Sequence, residues 1–376
     1  MNWNRQAGRA TMVSALVLFG GGLARSASPQ FGSFVTIDIS GASSTSAYSI
    51  NNRGAIVGNY EDGTGTHGFF RTSGGAIVTF DIPSSIGTLP VAINNENAIT
   101  GSYVDAASTS HGFLLTPNQP AATFDVTGAG VGNLEGTLPV SINDKGEVAG
   151  TYRDVNLVNH GFVRQADGTI VAFDAPGAST VPLDGTIVTA LGASGFVVGF
   201  YIDNSAEFHG FTAVPPEVVT VDIPGSYDEP FGGTRITAIN SANTVTGYYY
   251  GTGGPGYLLA NGVVTRFSVG NSVTPVSINA AGAITGGFQD SNGSHGFLRT
   301  PAGRILTFDD PAGTNETFPQ SINSSGVITG YYYDANFVPH GFIFTPNNAF
   351  AHTYAERHTG FHAETGWGAP AGRESW

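Results

Sequence analysis

The chain has 376 residues, 54 glycines, no cysteine and a formal net charge of −14, and only 11% of its residues are charged. Without cysteine it cannot form disulfide bonds, so a buried core must stabilise the fold. The acidic balance argues against nucleic acid as a partner, because it repels the phosphate backbone.

The first residues have the layout of a secretory signal peptide. Arg5 and Arg9 precede an apolar run at residues 10–24, and small residues follow at 26–28. A run of about 15 apolar residues is short for a membrane span. We therefore predict a signal peptide at residues 1–28, with a retained anchor as the alternative. The mature chain is expected to be secreted or periplasmic, with no membrane span.

Between residues 31 and 348 the chain repeats one unit seven times. Each unit begins with a first signature. Gly-x-aromatic follows it, then His-Gly-Phe, and then a segment ending in Phe-Asp or its equivalent. The first signature, [SA]-I-N-x-x-[GN], occupies residues 49–54, 92–97, 141–146, 238–243, 277–282 and 321–326, with a degenerate copy, ALGASG, at 190–195.

Each unit reads as four short strands: a (the VTFD-like segment), b (SIN), c (Gly-x-aromatic) and d (His-Gly-Phe). No segment has the apolar periodicity of a helix. Four strands at a period of roughly 45 residues predict an all-β, seven-bladed β-propeller, with a β-solenoid as the alternative. The Gly-x-aromatic side chains are expected to pack between neighbouring blades.

Loop lengths predict the order of strands within a blade. The d–a links are tight turns such as Pro301–Gly303, whereas the a–b links are much longer. Each blade is therefore expected to run b–c–d–a, with b lining the channel. The last copy lacks strand a, and the strand at 34–39 has no preceding partner. We predict that this strand closes the ring by pairing with residues 341–346, which also removes an exposed edge.

The repeated histidine lies opposite an aspartate in the d–a hairpin. Residues 295–309 are symmetric about Ala302, so His295 faces Asp309, and Asp290 ends strand c five residues earlier. The same Asp–His–Asp set occurs six times: Asp62, His67 and Asp81; Asp105, His111 and Asp125; Asp154, His160 and Asp174; Asp203, His209 and Asp222; Asp290, His295 and Asp309; and Asp334, His340 and Asp38.

Unit five lacks the whole set. Gly251, Pro255 and Ser268 stand at the three positions. Loss as a group indicates that the residues act together, and we interpret each set as a structural knot that ties the c–d loop to the outer strand. Metal binding and acid–base catalysis are the alternatives, but six sets on six blades cannot converge on one ligand. We therefore assign no catalytic, cofactor-binding or metal-ligating residue and expect no cofactor.

The combination SIN-x-x-G-x-I-x-G-x-Y followed by HGF resembles the extracellular HAF-family repeat proteins of bacteria, over roughly residues 31–348. This chain has His-Gly-Phe where the family name implies His-Ala-Phe. The resemblance implies an exported, propeller-like chain and supplies no catalytic residues. Residues 349–376 fall outside the repeats. His358 and His362 there have metal-ligand spacing if helical, but Gly360 favours an irregular tail.

The favoured function is a non-enzymatic binding or scaffold module, expected to be monomeric, with a glycan or an envelope protein as its partner. The alternatives are a polysaccharide-directed lyase or hydrolase with a site at the channel mouth, and a cation-stiffened surface-layer component. Ligand contacts are expected on the rim where loop length varies. The three longest a–b crossings, at residues 127–139, 177–186 and 224–234, point to Glu135, Asp184, Asp228, Glu229 and Arg235.

Overall fold

The computed structural model describes residues 31–226, 232–250, 254–314 and 316–347. Within these ranges the regular elements are β-strands, and none of the described residues belongs to a helix able to cross a membrane. The predicted signal peptide at 1–28 and the predicted tail at 349–376 lie outside the described residues.

The strands follow one another in groups of four after an initial single strand. In chain order they are β1 (Gly32–Ile37); β2 (Ser44–Ile50), β3 (Ile56–Asp62), β4 (Gly65–Arg71) and β5 (Ile77–Phe80); β6 (Gly87–Ile93), β7 (Ile99–Val104), β8 (Ser110–Leu115) and β9 (Ala122–Phe124); β10 (Gly136–Ile142), β11 (Val148–Arg153), β12 (Asn159–Arg164) and β13 (Ile170–Phe173); β14 (Gly185–Leu191), β15 (Val197–Ile202), β16 (Phe208–Val214) and β17 (Glu217–Val221); β18 (Gly233–Ile239), β19 (Val245–Tyr250), β20 (Gly256–Ala260) and β21 (Val263–Phe267); β22 (Ser272–Ile278), β23 (Ile284–Asp290), β24 (Gly293–Arg299) and β25 (Ile305–Phe308); and β26 (Thr317–Ile322), β27 (Ile328–Tyr333) and β28 (Pro339–Pro346).

Among the described residues these strands form seven four-stranded antiparallel blades, numbered one to seven from β2 onward. Blade six shows the pattern: β22 pairs with β23, β23 with β24, and β24 with β25. Blade seven takes its outer strand from the other end of the chain, because β1 pairs with β28 from Gly32↔Pro346 to Ile37↔Gly341. The predicted closure of the ring by the N-terminal strand is therefore present.

The first strands of the blades contact one another in succession, and β2 also contacts β26, so they surround a central channel. The chain direction places the two kinds of connection at opposite ends of this channel. The c–d loops and a–b crossings emerge at one end, the loop rim. The b–c and d–a turns emerge at the other end, the turn rim.

A ring of asparagines links the blades at the turn rim. In each b–c turn except that of blade four, the asparagine of the SIN motif donates through Nδ2 to the backbone carbonyl of the corresponding residue in the next blade. The six links are Asn51 to Asn94, Asn94 to Asn143, Asn143 to Gly192, Asn240 to Asn279, Asn279 to Asn323, and Asn323 back to Asn51, at 2.9–3.3 Å. Gly192 has no side chain to continue the series. The motif therefore forms both the turn and an inter-blade latch.

The phenylalanine of His-Gly-Phe forms the core between blades. Phe297 is fully buried, and its ring lies 5.9 Å from Phe267, which ends the outer strand of the preceding blade. Phe80–Phe113, Phe124–Phe162, Phe173–Phe211 and Phe308–Phe342 repeat this contact at 6.1–6.5 Å. The glycine is needed because a Cβ at Gly296 would lie 2.5 Å from the Phe308 ring. Aromatic packing between blades thus explains the Gly-Phe half of the motif.

Candidate functional site

Each repeated histidine ring lies between two carboxylates of its own blade. Nδ1 of His295 is 2.9 Å from Asp309, and Nε2 is 3.1 Å from Asp290. In the other sets, Nδ1 likewise faces the aspartate of the outer strand and Nε2 the aspartate that ends strand c. These two distances are 2.9 and 3.2 Å for His67, 2.9 and 3.4 Å for His111, 2.9 and 3.8 Å for His160, 3.1 and 3.7 Å for His209, and 2.8 and 3.8 Å for His340. The structure therefore brings together all six predicted sets.

The aspartate that ends strand c also shapes the loop after it. Oδ1 of Asp154 accepts hydrogen bonds from the backbone N–H groups of Asn156 and Val158, and Oδ1 of Asp290 accepts one from Asn292. Side chains that bind the backbone two residues ahead stabilise tight turns. The carboxylate thus connects the c–d loop, the histidine and, through it, the outer strand.

The aromatic residue of Gly-x-aromatic stacks on the histidine, a contact that the sequence did not predict. In five blades the residue is tyrosine, and the Tyr201 ring lies 4.8 Å from His209 at 17°. Phe288 takes the position beside His295, at 5.1 Å. The two residues face each other directly in the c–d ladder, as the Tyr201↔His209 register shows. Each histidine is therefore confined on one face as well as at both ring nitrogens.

The carboxylates raise the pKa of four of these histidines: His67, His111, His160 and His295. For His295, burial acts most strongly and lowers the pKa, but the hydrogen bonds and charges of Asp309 and Asp290 together outweigh it and raise the pKa above 6.5. At His160 the hydrogen bond donated to Asp174 is the largest cause of the raised pKa. Hydrogen bonds from Thr64 are the largest cause of the lowered pKa of Asp62, which falls to about 2. The sets of His67, His111, His160 and His295 therefore favour the ionised pair.

Blade five replaces this arrangement with different contacts. Pro255 and Ser268 stand where the histidine and the outer aspartate are expected, and Gly251 lies outside the described residues. Arg266 on the outer strand donates from Nε to the Tyr249 hydroxyl at 3.0 Å and from Nη2 to the Pro224 carbonyl at 2.6 Å. An arginine therefore ties the outer strand of this blade to its neighbours.

A cavity of about 460 Å³ opens at the loop rim beside blade five. Its walls come from blades five, six and seven and include Arg235, Tyr248, Tyr249, Gln289, Phe318 and Gln320. This volume lies within the range of small-molecule sites. No carboxylate and no histidine occurs among its described lining residues.

The structure places the predicted rim residues in different surroundings. Arg235 lines the cavity, with its guanidinium carbon 3.7 Å from the centre of the Phe208 ring and Nη1 3.1 Å from the Tyr248 hydroxyl. Glu135 accepts a hydrogen bond from Gly132 within its own crossing, and the Asp184 carbonyl accepts one from Asn159. Neither residue lines the cavity, and Asp228 and Glu229 lie outside the described residues.

Sequence reasoning missed the cavity residues of blades six and seven. Gln320 occupies the extra position of a β-bulge between Pro319 and Ser321, and bulges redirect side chains. Every first strand has this bulge, and the same position in the other blades holds Tyr48, Val91, Val140, Thr189, Thr237 and Val276. The sequence did contain one signal for this site: blade seven has a glutamine at a position where most other blades have an apolar or β-branched residue.

One histidine set includes an additional acid. Within the described residues, Asp203, Glu207 and His209 form the one group whose possible metal-ligand atoms all lie within 4.8 Å of one another. Nδ1 of His209 lies 3.1 Å from Asp222. The group shares Asp203 and His209 with the knot of blade four, so its geometry is that of the other sets with one glutamate added.

No protein-family model matches the chain, and no curated protein matches its sequence. Solved structures match its fold. A streptogramin B lyase is 11% identical with a TM-score of 0.56, covering 85% of this chain and 100% of the lyase. The virginiamycin B lyase from Staphylococcus aureus is 12% identical with a TM-score of 0.54, covering 83% and 99%. The β-propeller domain of the Trilobed protease from Pyrococcus furiosus is 6% identical with a TM-score of 0.55, covering 81% and 95%.

The fold is a β-propeller. The predicted all-β propeller is confirmed by these matches together with the strand pairing. The Pyrococcus domain has an open velcro topology, whereas here β1 and β28 are hydrogen-bonded. At identities of 6–12%, the likeness extends to the fold alone.

Proposed function

We propose that this chain is an exported, non-enzymatic β-propeller that acts as a binding module at the cell envelope or outside the cell, with its ligand site in the loop-rim cavity. The signal-peptide-like sequence at 1–28 and the resemblance to HAF-family repeat proteins support export. The propeller fold supports a module that presents a rigid rim of loops.

The proposal rests on the position of the cavity. The histidine sets recur on six blades and bind groups of their own blade, so they do not meet at one place. The cavity lies beside the blade that lacks the set, and residues that differ among the copies, Arg235 and Gln320, line it. A ligand site is a single asymmetric constellation, which only unrepeated residues can build.

The cavity offers little support for the enzymatic alternative. A lyase or hydrolase acting on a polysaccharide needs an acid–base pair next to its substrate. Arg235 is the one strongly basic group among the described lining residues, and neither a carboxylate nor a histidine accompanies it there. The described lining residues are suited to binding a ligand rather than to acid–base catalysis.

Blocking the cavity tests the proposal. Gln320→Trp fills the space in front of the bulge, and Gln119→Trp places the same ring in an exposed d–a turn at the turn rim. The purified chain is screened against a panel of glycans and isolated envelope components. We expect Gln320→Trp to abolish retention of the bound component and Gln119→Trp to retain it. Equal retention by both variants, or no retention by the unaltered chain, would overturn the proposal.

A further inference from the structure

We propose that the loop-rim cavity binds a saccharide, and that it prefers units carrying a carboxylate to units carrying an amine. This inference rests on the proposed function and names its ligand class. It depends on three features of the wall: aromatic rings held in place, neutral amides, and one guanidinium.

The aromatic rings form preorganised surfaces. Phe318 stacks on Tyr331 at 5.3 Å and 24°, and Tyr333 meets Tyr331 edge-on at 5.8 Å. On the other side of the cavity, the hydroxyl of Tyr249 accepts a hydrogen bond from Arg266. The C–H face of a pyranose ring packs against an aromatic face, and rings already fixed by neighbours lose little conformational freedom on binding.

The amides supply neutral hydrogen-bonding groups at the same wall. The Gln289 side chain is exposed and Gln320 is partly exposed, and both line the cavity. An amide offers a carbonyl acceptor and two N–H donors, which suits hydroxyl groups, since each hydroxyl both donates and accepts. Aromatic faces combined with amides match a polyhydroxylated ligand better than a purely apolar one.

The charge of the wall determines which saccharides fit. Arg235 contributes a guanidinium, and no carboxylate lies among the described lining residues. Packing over Phe208 and the hydrogen bond to Tyr248 hold the guanidinium in place. A guanidinium binds a carboxylate through two parallel hydrogen bonds, whereas an ammonium group on the ligand would meet no opposite charge among the described lining residues. A uronate therefore gains an interaction that an amino sugar lacks.

Three oligosaccharides of equal length test the inference by calorimetry with the full chain: a neutral one, one of uronic acids and one of amino sugars. We expect the uronic oligosaccharide to bind most tightly, the neutral one about tenfold more weakly, since one charged hydrogen-bonded contact is worth roughly 1.4 kcal/mol or more, and the amino one most weakly. The uronate preference should shrink as salt is raised.

Matched variants separate the contributions. Gln320→Ala should weaken all three ligands, whereas Arg235→Gln should remove the uronate preference and Arg235→Lys should keep much of it. Arg53→Ala, in an exposed ion pair with Glu96 near the turn rim, is the control and should change nothing. Unfolding midpoints show whether a variant has lost its fold.

The outcomes distinguish the two proposals. If no oligosaccharide binds while Gln320→Trp still blocks another ligand, the saccharide assignment is wrong and the binding module stands. If oligosaccharides bind Gln320→Trp as well as they bind the unaltered chain, the cavity is not the site and both proposals fail. Tightest binding of the amino oligosaccharide would overturn the charge argument.

Discussion

The two ends of the channel are built on different principles. At the turn rim, buried asparagines bind blade to blade in a nearly uniform ring around a cavity of about 260 Å³. At the loop rim the blades differ, blade five lacks the histidine set, and a larger cavity opens beside it. Residues that recur in most copies stabilise the fold, and residues that occur once create a place for a ligand. Changes at the two ends should therefore separate stability from binding.

The largest effect is expected at the turn rim. Asn279 donates to the Asn323 carbonyl, and its side-chain oxygen accepts from the N–H groups of Ala281 and Ala283. Asn279→Ala removes all three hydrogen bonds at a position that is 6% exposed, so the free energy of unfolding should fall by about 3 kcal/mol. Chemical denaturation measures it, with the exposed Gln119→Ala as control. A loss no larger than that of the control would show that the latch does not stabilise the ring.

A smaller loss is expected from the histidine set at the loop rim. His295→Ala leaves Asp309 and Asp290 without their shared partner, and the free energy of unfolding should fall by about 1–3 kcal/mol. Ligand binding at the cavity should stay within about twofold, because neither His295 nor its two carboxylates is among the described lining residues. A loss of binding without a loss of stability would instead assign His295 to the ligand site.

The loss of stability caused by His295→Ala should depend on pH. The pKa of His295 is raised in the folded chain above its ordinary value of 6.5. Its contribution to the free energy of unfolding is therefore complete below pH 6.5 and is lost as the pH rises through the folded pKa. The pKa of Asp290 is lowered, chiefly by the hydrogen bond from Asn292, so its contribution is lost as the pH falls below 3.8 toward the folded pKa. The stability difference between the unaltered chain and His295→Ala should be largest between these limits and smaller at pH 9. A difference independent of pH would contradict the ionised pair.

The smallest expected effect is an increase in the free energy of unfolding. Gly192 interrupts the asparagine ring, yet its turn has the backbone hydrogen bonds of the others, with its N–H bonded to the Phe196 carbonyl. A Cβ there would meet Ile239 at 3.4 Å, an ordinary contact. Gly192→Asn should donate to the Asn240 carbonyl and raise the free energy of unfolding by about 0.5–1.5 kcal/mol. Gly192→Ala, which adds the Cβ without the amide, is the control, and an equal gain from both variants would exclude the latch as the cause.

Much of the fold could be predicted from the sequence because its determinants are local. The tight d–a turn centred on Ala302 sets the register of its hairpin, so residues equally far from the centre must face each other. This argument places His295 opposite Asp309, where the structure has a hydrogen bond. The missing outer strand of the last copy likewise predicts the pairing of β1 with β28. Each inference needed only neighbours along the chain and the repeat.

The candidate site could be predicted only in part, since it depends on distant segments. Loop lengths pointed to Arg235 next to a long crossing, and the structure places it in β18, but Gln289 and Phe318 come from two other blades. Their proximity depends on how three successive blades pack against one another. Comparing loop lengths finds variable segments, but it does not show which of them share a space.

The sequence by itself determined the repeated strands, the hairpins and the partners of each histidine, because hydrophobic pattern and turn chemistry act within a few residues. Tertiary structure alone decided that the SIN asparagine reaches the next blade and that a cavity forms between blades five and seven. Such contacts depend on the angle and spacing between blades, which result from packing Phe267 against Phe297 and its counterparts around the whole ring.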